Sequence, residues 1–216
     1  MRVLIFGDSI AQGFWDSRGG WVERLREHYD SLALNNLRNH NEPAIFNLGI
    51  SGDTTENLLA RVELETSVRR SSGESLVVVL AIGTNDELFE NNHQRVAPDE
   101  FEKNIRKLLE IIKPLSDKII FVGNAACDEK LTTPVFWADI QYTNEQMNKY
   151  EKIIEKVALE QSIPFTPLFL PFKTALDNGQ DLLADGLHPN DAGHQLIFEL
   201  VLPQLDKQLN SRIDSN

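Results

Sequence analysis

Two short polar blocks, far apart in the sequence, contain residue types that could together carry out acyl transfer. The block Gly7-Asp8-Ser9 follows an apolar run at residues 3–6, and the block Asp185-Gly186-Leu187-His188-Pro189 lies near the other end of the chain. A serine hydroxyl can attack a carbonyl carbon, an imidazole can take its proton, and a carboxylate can fix the imidazole tautomer. Because Asp185 precedes His188 by three residues, with a glycine between them, its carboxylate can reach the imidazole within one tight loop.

Each block also has a simpler interpretation as local structure. Glycine, aspartate and serine favour turns and helix N-caps, so Ser9 could merely cap a helix that follows the first strand. The second block could be the entry loop of a helix, with Pro189 in its first turn, Asn190 as its N-cap and His188 on the surface. Neither block decides between the two interpretations by itself.

Apolar runs and amphipathic spacings alternate along the chain and predict the elements that must position these residues. Strands are predicted at residues 3–6, 44–48, 76–82, 118–122 and 165–166, helices at residues 21–34, 55–69, 101–112 and 147–162, and loops at residues 10–20 and 124–139. A last helix is marked by Ala192, Leu196, Leu200 and Leu205, and Pro203 should bend or interrupt it. The valine-rich run at 76–82 best fits a central strand that is covered on both faces. This alternation predicts an α/β fold with a three-layer parallel sheet.

Polar residues follow the predicted strands at the points where those strands end. Ser9 follows the first strand, Gly52 the second and Asn85 the third, while Asp185 and His188 lie in the last loop. Because the carboxyl ends of parallel strands share one edge of a sheet, we expect these residues to meet there. A glycine amide and a carboxamide are donors that can stabilise an oxyanion. The sequence therefore predicts an acyl-transfer site at this edge.

The same residues lie in four blocks that resemble those of the GDSL-type esterase/lipase superfamily, also called SGNH hydrolases. In chain order the blocks are Gly7-Asp8-Ser9-Ile10, with isoleucine in place of the family's leucine, Gly52 within Asn47-Leu48-Gly49-Ile50-Ser51-Gly52, then Gly83-Thr84-Asn85-Asp86, and finally Asp185-Gly186-Leu187-His188-Pro189. Each block alone is a weak pattern, but four in the right order over most of the chain are a specific one. The resemblance implies a flavodoxin-like three-layer sandwich with a five-stranded parallel sheet, and no metal or organic cofactor.

The resemblance also implies a role for each matching residue. Ser9 would be the nucleophile, His188 the general base and Asp185 the group that orients it. The backbone amides of Ser9 and Gly52 and the side-chain amide of Asn85 would form the oxyanion hole. The implied activity is cleavage of carboxylic esters through an acyl-enzyme intermediate, with a small-molecule ester as the substrate.

The length and composition are those of one globular domain over residues 1–216. A chain of 216 residues suits a single α/β domain. The 21 basic and 33 acidic residues give a net charge of −12, which argues against a nucleic-acid partner. Cys127 is the only cysteine, so an intrachain disulfide is excluded. The N-terminal apolar run at residues 3–6 is too short for a signal-peptide core, and no run approaches the length of a membrane span, so we expect a cytoplasmic protein. The composition does not indicate the oligomeric state.

Two aromatic pairs lie on predicted loops that should flank the catalytic edge. They are Phe14 with Trp15, and Phe136 with Trp137. These side chains could line an acyl or sugar pocket, or they could close the loops over the hydrophobic core. Both interpretations remain open at the level of sequence.

Three alternatives remain for the substrate and the class of function. The aromatic loops and the absence of a long apolar lid favour short-acyl esters, such as O-acetylated carbohydrates. A lysophospholipase or thioesterase that acts on longer acyl chains is the nearest alternative. A non-catalytic flavodoxin-like module that binds a small molecule belongs to another class. The presence of Ser9, Asp185 and His188 argues against that module, because binding does not require all three.

Several other polar residues are assigned structural roles or no role. Asp8 is expected to form a turn or hydrogen bond, Asp86 to tie its loop, and His194 to be a surface or hydrogen-bonded histidine. His28, His40 and His93 have no acid pair at metal-ligand spacing, so no zinc site is predicted.

Overall fold

The computed structural model describes residues 1–38, 41–91 and 93–210, so His40 lies outside the described residues. Within these ranges the strands are β1 (Arg2–Gly7), β2 (Ala44–Gly49), β3 (Leu76–Ala81), β4 (Phe89–Glu90), β5 (His93–Gln94), β6 (Lys118–Val122) and β7 (Phe165–Thr166). The helices are α1 (Ser9–Gln12), α2 (Gly20–Leu34), α3 (Thr55–Arg69), α4 (Pro98–Ile112), α5 (Glu129–Thr132), α6 (Asn144–Glu160), α7 (Phe169–Asp177) and α8 (Asp191–Asn210).

Among the described residues, five strands form one parallel sheet in the order β2-β1-β3-β6-β7. This is the flavodoxin-like order once the separate β4–β5 hairpin is left aside. The predicted α/β fold and its five-stranded parallel sheet are therefore confirmed. The strand β3 lies in the middle of the sheet, as its valine-rich sequence predicts. The order reverses between β1 and β3, where doubly wound sheets bind their ligands.

The hydrophobic core has two halves, one on each face of the sheet. Successive residues of β1 alternate between them: Val3 and Ile5 pack with α2, α7 and α8, whereas Leu4 and Phe6 pack with α3, α4 and α6. This alternation follows from the two-residue period of a strand and explains why β1 is apolar throughout. The result is the predicted three-layer arrangement.

The last helix is not interrupted at Pro203, and its buried face differs from the predicted one. Helix α8 continues through Pro203, and a bend at that residue stays a prediction. Pro203 and Glu199 are both exposed, so water can bind the carbonyl that lacks a proline N–H partner. The buried face comprises Ile197, Val201 and Leu205, spaced four residues apart, and not the predicted stripe through Ala192, Leu196 and Leu200.

Three short helices were absent from the predicted elements. The four-residue helices α1 and α5 overlap the predicted loops at 10–20 and 124–139, and the nine-residue α7 follows the last strand of the sheet. A helix of one turn, such as α1 or α5, shows no amphipathic period, so tertiary contacts decide whether it forms.

Candidate active site

Ser9 lies at the junction of β1 and α1, at the carboxyl edge of the sheet. The N-cap of α1 is Asp8, whose Oδ1 accepts a hydrogen bond from the backbone N–H of Ile10 at 2.9 Å. The interpretation of Ser9 as the cap is therefore wrong, since the neighbouring acid performs that role. The hydroxyl of Ser9 faces His188 instead.

The structure brings Ser9 together with Asp185 and His188, which lie near the other end of the chain. Ser9 Oγ lies 2.9 Å from His188 Nε2, and His188 Nδ1 lies 2.7 Å from Asp185 Oδ2. An ionised carboxylate can only accept hydrogen bonds, so the proton of a neutral imidazole belongs on Nδ1. Nε2 is then the acceptor for the Ser9 hydroxyl. His188 is 9% exposed, which excludes a surface histidine.

Backbone N–H groups of the loop that contains Asp185 help to orient the Asp185 carboxylate, in addition to its contact with the imidazole. Oδ1 accepts the backbone N–H groups of Leu187 and His188 at 3.0 and 2.8 Å. Burial raises the pKa of Asp185, but the hydrogen bonds and charge of His188 and the Leu187 amide outweigh it and lower the pKa to about 2. Asn190 caps α8 through bonds to the amides of Ala192 and Gly193, as the helix-entry interpretation predicts. The loop thus starts a helix and also holds the His188 imidazole.

Gly52 and Asn85 are neighbours at the same edge. Gly52 has φ +83°, a left-handed conformation that favours glycine. The next residue, Asp53, accepts a hydrogen bond on its carbonyl from Asn85 Nδ2 at 3.1 Å. The Gly52 turn is tied to β1 because the N–H of Ile50 donates to the Gly7 carbonyl at 3.0 Å.

Tyr142 fixes the orientation of the Asn85 amide, and no sequence pattern indicated it. Its hydroxyl donates to Asn85 Oδ1 at 3.2 Å, and both side chains are buried. The acceptor end of the amide therefore faces Tyr142, while the donor end faces Asp53. One N–H of Asn85 satisfies the Asp53 carbonyl, and no acceptor for the second N–H is found among the described residues, so it is available to a ligand.

The aromatic residues of the two predicted loops surround the Asp185–His188 pair. The rings of Phe14 and Trp137 lie 5.6 and 6.0 Å from the His188 ring, centroid to centroid. Trp15 Nε1 donates to Asp185 Oδ2 at 2.8 Å, and Phe136 packs edge-on against Trp137. Trp15, Trp137 and Phe136 are 60%, 42% and 82% exposed, so they do not close the loops over the core.

An open groove of about 790 Å³ begins beside Asp185. It is lined by Trp15 and Phe136, together with Lys130, Leu131, Pro134 and Ala184. The groove is mainly apolar and open to solvent. Trp15 and Phe136 are thus groove-lining residues, whereas the rings of Phe14 and Trp137 lie against the His188 ring.

Three buried acids lie behind the site. Asp86 accepts hydrogen bonds from the backbone N–H of Thr55 at 3.0 Å and from its hydroxyl, so it ties its loop to the start of α3. Burial raises the pKa of Asp86 to about 7 and that of Asp8 to about 6. Glu87 is fully buried, and neither of its carboxyl oxygens has a hydrogen-bond partner among the described residues. Burial and the nearby Asp86 charge raise the pKa of Glu87 well above its usual range.

Glu87 should make the protein less stable as the pH rises. The folded state holds the Glu87 proton at pH values where the unfolded chain has released it, so the free energy of unfolding falls as pH rises toward the folded pKa. Glu87→Gln cannot ionise, and its stability advantage over wild type should grow by up to about 1.4 kcal/mol per pH unit. Urea unfolding at pH 5, 6, 7 and 8 measures this. The exposed Glu110→Gln is the matched control, and a pH-independent difference for Glu87→Gln would contradict the prediction.

His194 is buried and hydrogen-bonded and does not lie on the surface. Its Nε2 lies 3.0 Å from the Phe14 carbonyl, and its Nδ1 lies 3.3 Å from the backbone N of Trp21. Nε2 is thus the donor and Nδ1 the acceptor. Burial lowers the pKa of His194, in keeping with a neutral ring that joins α8 to the loop after α1.

A serine, a histidine and an acid lie together at the carboxyl edge of a parallel sheet, an arrangement typical of hydrolytic α/β enzymes. The model of the GDSL-like Lipase/Acylhydrolase family matches residues 5–196, and the chain belongs to that family. It is a GDSL-type esterase/lipase, that is, a carboxylic ester hydrolase. No helix in the described ranges is both long and apolar enough to cross a bilayer.

Similar proteins align over almost the whole chain. The isoamyl acetate-hydrolyzing esterase 1 homolog of Rattus norvegicus is 26% identical over 224 residues, covering 97% of this chain and 83% of the rat protein. Thioesterase 1/protease 1/lysophospholipase L1 of Escherichia coli (strain K12) is 22% identical over 209 residues, covering 96% and 85%. The solved structure of an acetyl xylan esterase, AlAXEase, has a TM-score of 0.76 at 23% identity and covers 95% of this chain and 100% of that chain. The structural likeness shows a shared fold.

Proposed function

We propose that the chain hydrolyses short-acyl carboxylic esters through an acyl-enzyme formed on Ser9. The observation that carries this proposal is the continuous hydrogen-bonded array in which Ser9 Oγ, His188 and Asp185 are joined at 2.9 and 2.7 Å. In this proposal Ser9 is the nucleophile, His188 the general base and Asp185 the group that holds the imidazole in the required tautomer.

The reaction proceeds in two displacements. Ser9 Oγ attacks the ester carbonyl carbon while His188 Nε2 takes the hydroxyl proton. The tetrahedral intermediate then breaks its bond to the alcohol oxygen, and His188 returns the proton to that oxygen. Water attacks the acyl-enzyme with the same assistance from His188, and the bond to Ser9 Oγ breaks to release the acid and regenerate the hydroxyl.

The backbone amides of Ser9 and Gly52 and the side-chain amide of Asn85 are proposed to bind the oxyanion. Ser9 is the first residue of α1, where amide N–H groups have no acceptor within the helix. The second N–H of Asn85 is available because Tyr142 and Asp53 fix the amide in one orientation. Donors that are already fixed need no reorganisation when negative charge develops, which makes them effective in catalysis.

Asn85→Ala is expected to lower kcat by roughly 10²- to 10³-fold, the usual effect of removing one oxyanion donor. KM should change little, because the donor acts mainly on the charge that develops in the transition state. Steady-state kinetics with an acetyl ester measure both constants. The exposed Asn148→Ala on α6 is the matched control, and a higher KM at unchanged kcat would contradict this role.

One observation supports a sugar or another small group as the alcohol part of the ester, and a second supports a short acyl group. The groove beside Asp185 is open and presents exposed aromatic faces, on which the apolar face of a sugar ring can pack. The rat relative is named for hydrolysis of an acetate ester. The second candidate is a lysophospholipase or thioesterase, which the name of the E. coli relative supports.

Labelling and chain-length profiling test this proposal. A fluorophosphonate should label Ser9, and labelling should disappear on denaturation. With acetyl, hexanoyl and octanoyl esters of one alcohol, kcat/KM should be highest for acetyl. A profile that rises with chain length would favour the second candidate, and the absence of both labelling and turnover would favour a non-catalytic binding module.

A further inference from the structure

The indole of Trp15 donates to the same carboxylate oxygen that holds the base. Trp15 Nε1 lies 2.8 Å from Asp185 Oδ2, and His188 Nδ1 lies 2.7 Å from that oxygen. We propose that Trp15 is a positioning residue, whose N–H holds the Asp185 carboxylate in the orientation that serves His188. This inference rests on the proposed function, because it gives Trp15 an effect on catalysis through Asp185.

The indole completes the hydrogen bonds of the carboxylate. In the described part of the chain, Oδ1 accepts two backbone N–H groups, and Oδ2 accepts His188 and Trp15. A carboxylate offers about four lone-pair sites, so with Trp15 in place all of them are used. Removing the indole N–H would leave one side of Oδ2 to water and allow the carboxylate plane to rotate away from the imidazole.

The backbone of Trp15 is strained, and its neighbours maintain the strain. Trp15 has φ +63°, which is rare for a bulky side chain. On one side the Phe14 carbonyl is bound by His194, and on the other side Asp16 forms a buried ion pair with Arg24. These two contacts fix the backbone on both sides of Trp15, so that the indole N–H points toward Asp185.

Burial of the indole does not account for this strained conformation. Trp15 is 60% exposed, so its ring gains less from burial than a core tryptophan does, whereas the Asp185 side chain beneath it is 10% exposed. In this conformation the Trp15 indole donates a hydrogen bond to the Asp185 carboxylate and shields it from solvent. A function at Asp185 is therefore the better explanation of the strain.

Positioning and groove lining predict different kinetics for Trp15. His188 acts in both acylation and deacylation, so a residue that positions Asp185 affects every ester by the same factor. A residue that only lines the groove affects esters according to the size of their alcohol, and has no effect on a methyl ester. One substitution at Trp15, assayed with esters of a small and a bulky alcohol, therefore distinguishes the two roles.

Trp15→Phe keeps an aromatic ring and the same backbone requirement but removes the N–H donor. We expect kcat to fall roughly 3- to 10-fold, the kinetic equivalent of one net hydrogen bond, with KM unchanged. The factor should be equal for methyl acetate and for the acetyl ester of a bulky alcohol. In an Asp185→Asn background, assayed with an activated acetyl ester, Trp15→Phe should cause no further loss, because its effect passes through that carboxylate.

Ser17→Ala is the matched control, because it removes a side-chain hydrogen bond to Asp191 from the same loop and leaves Asp185 untouched. It should retain wild-type kcat. Wild-type kinetics in Trp15→Phe, a loss confined to the bulky ester, or an equal loss in Ser17→Ala would each overturn the inference. Wild-type protein that neither reacts with a fluorophosphonate nor hydrolyses esters would overturn the proposed function itself, so the two failures are distinguishable.

Discussion

Ser9→Ala is expected to lower kcat for ester hydrolysis by about 10⁶-fold, as for other serine hydrolases that lose their nucleophile. Without the hydroxyl no acyl-enzyme can form, and His188 has no proton to take from the protein. The residual rate should come from oxyanion donors that still polarise a bound ester toward water. Labelling by a fluorophosphonate should be lost together with turnover.

The same substitution should leave the fold intact. The Ser9 hydroxyl makes its hydrogen bond to His188, and the imidazole remains held by Asp185 when that bond is lost. Asp8 still caps α1, so the local backbone keeps its support. We expect a change of about 1 kcal/mol or less in the free energy of unfolding, measured by urea titration. The exposed Ser31→Ala is the matched control, and full esterase activity in Ser9→Ala would refute the assignment of the nucleophile.

Asp185→Asn is expected to lower kcat by about 10⁴-fold, the effect of presenting the wrong imidazole tautomer. The amide oxygen will keep the backbone N–H groups of Leu187 and His188, which places the amide nitrogen opposite His188 Nδ1. The amide N–H of the substituted side chain would donate to His188 Nδ1, so Nδ1 must be the acceptor. The imidazole proton then lies on Nε2, which cannot take a proton from Ser9. The exposed Asp30→Asn on α2 is the matched control.

Unfolding in acid gives a second readout for Asp185. Its pKa is lowered to about 2, so the ionised carboxylate stabilises the fold above the pKa of an unfolded aspartate. That contribution is lost as the pH falls from about 4 toward 2. The stability difference between wild type and Asp185→Asn should therefore narrow over this range in urea unfolding. A constant difference would show that Asp185 stabilises the fold by means other than its charge.

The location of the candidate catalytic residues was predictable because a parallel sheet brings the carboxyl ends of its strands to one edge. Ser9, Gly52 and Asn85 each follow a strand, and the carboxyl ends of parallel strands share an edge whatever the distance along the chain. Asp185 and His188 are three residues apart in one loop, so their side chains can make contact without help from another element. Strand alternation and the four blocks therefore sufficed to name the residues that the structure brings together at this edge.

The identity of the helix cap and of the buried helix face was less predictable. Asp8 and Ser9 are both good N-cap residues, so propensity alone could not separate them. The hydrogen bond from the Ile10 amide to Asp8 does so. In α8 both possible stripes are apolar at helical spacing, and the position of the sheet selects Ile197, Val201 and Leu205.

Local patterns along the chain were enough to predict the fold class, the edge where the site lies and the residues that could react. The side chains that hold those residues in place become visible only in the folded protein. Tyr142 reaches Asn85 across 57 residues and Trp15 reaches Asp185 across 170, and neither belongs to a recognisable block. Strand and helix periods follow from local sequence, whereas a hydrogen bond between two loops depends on the path of both loops after the sheet has formed.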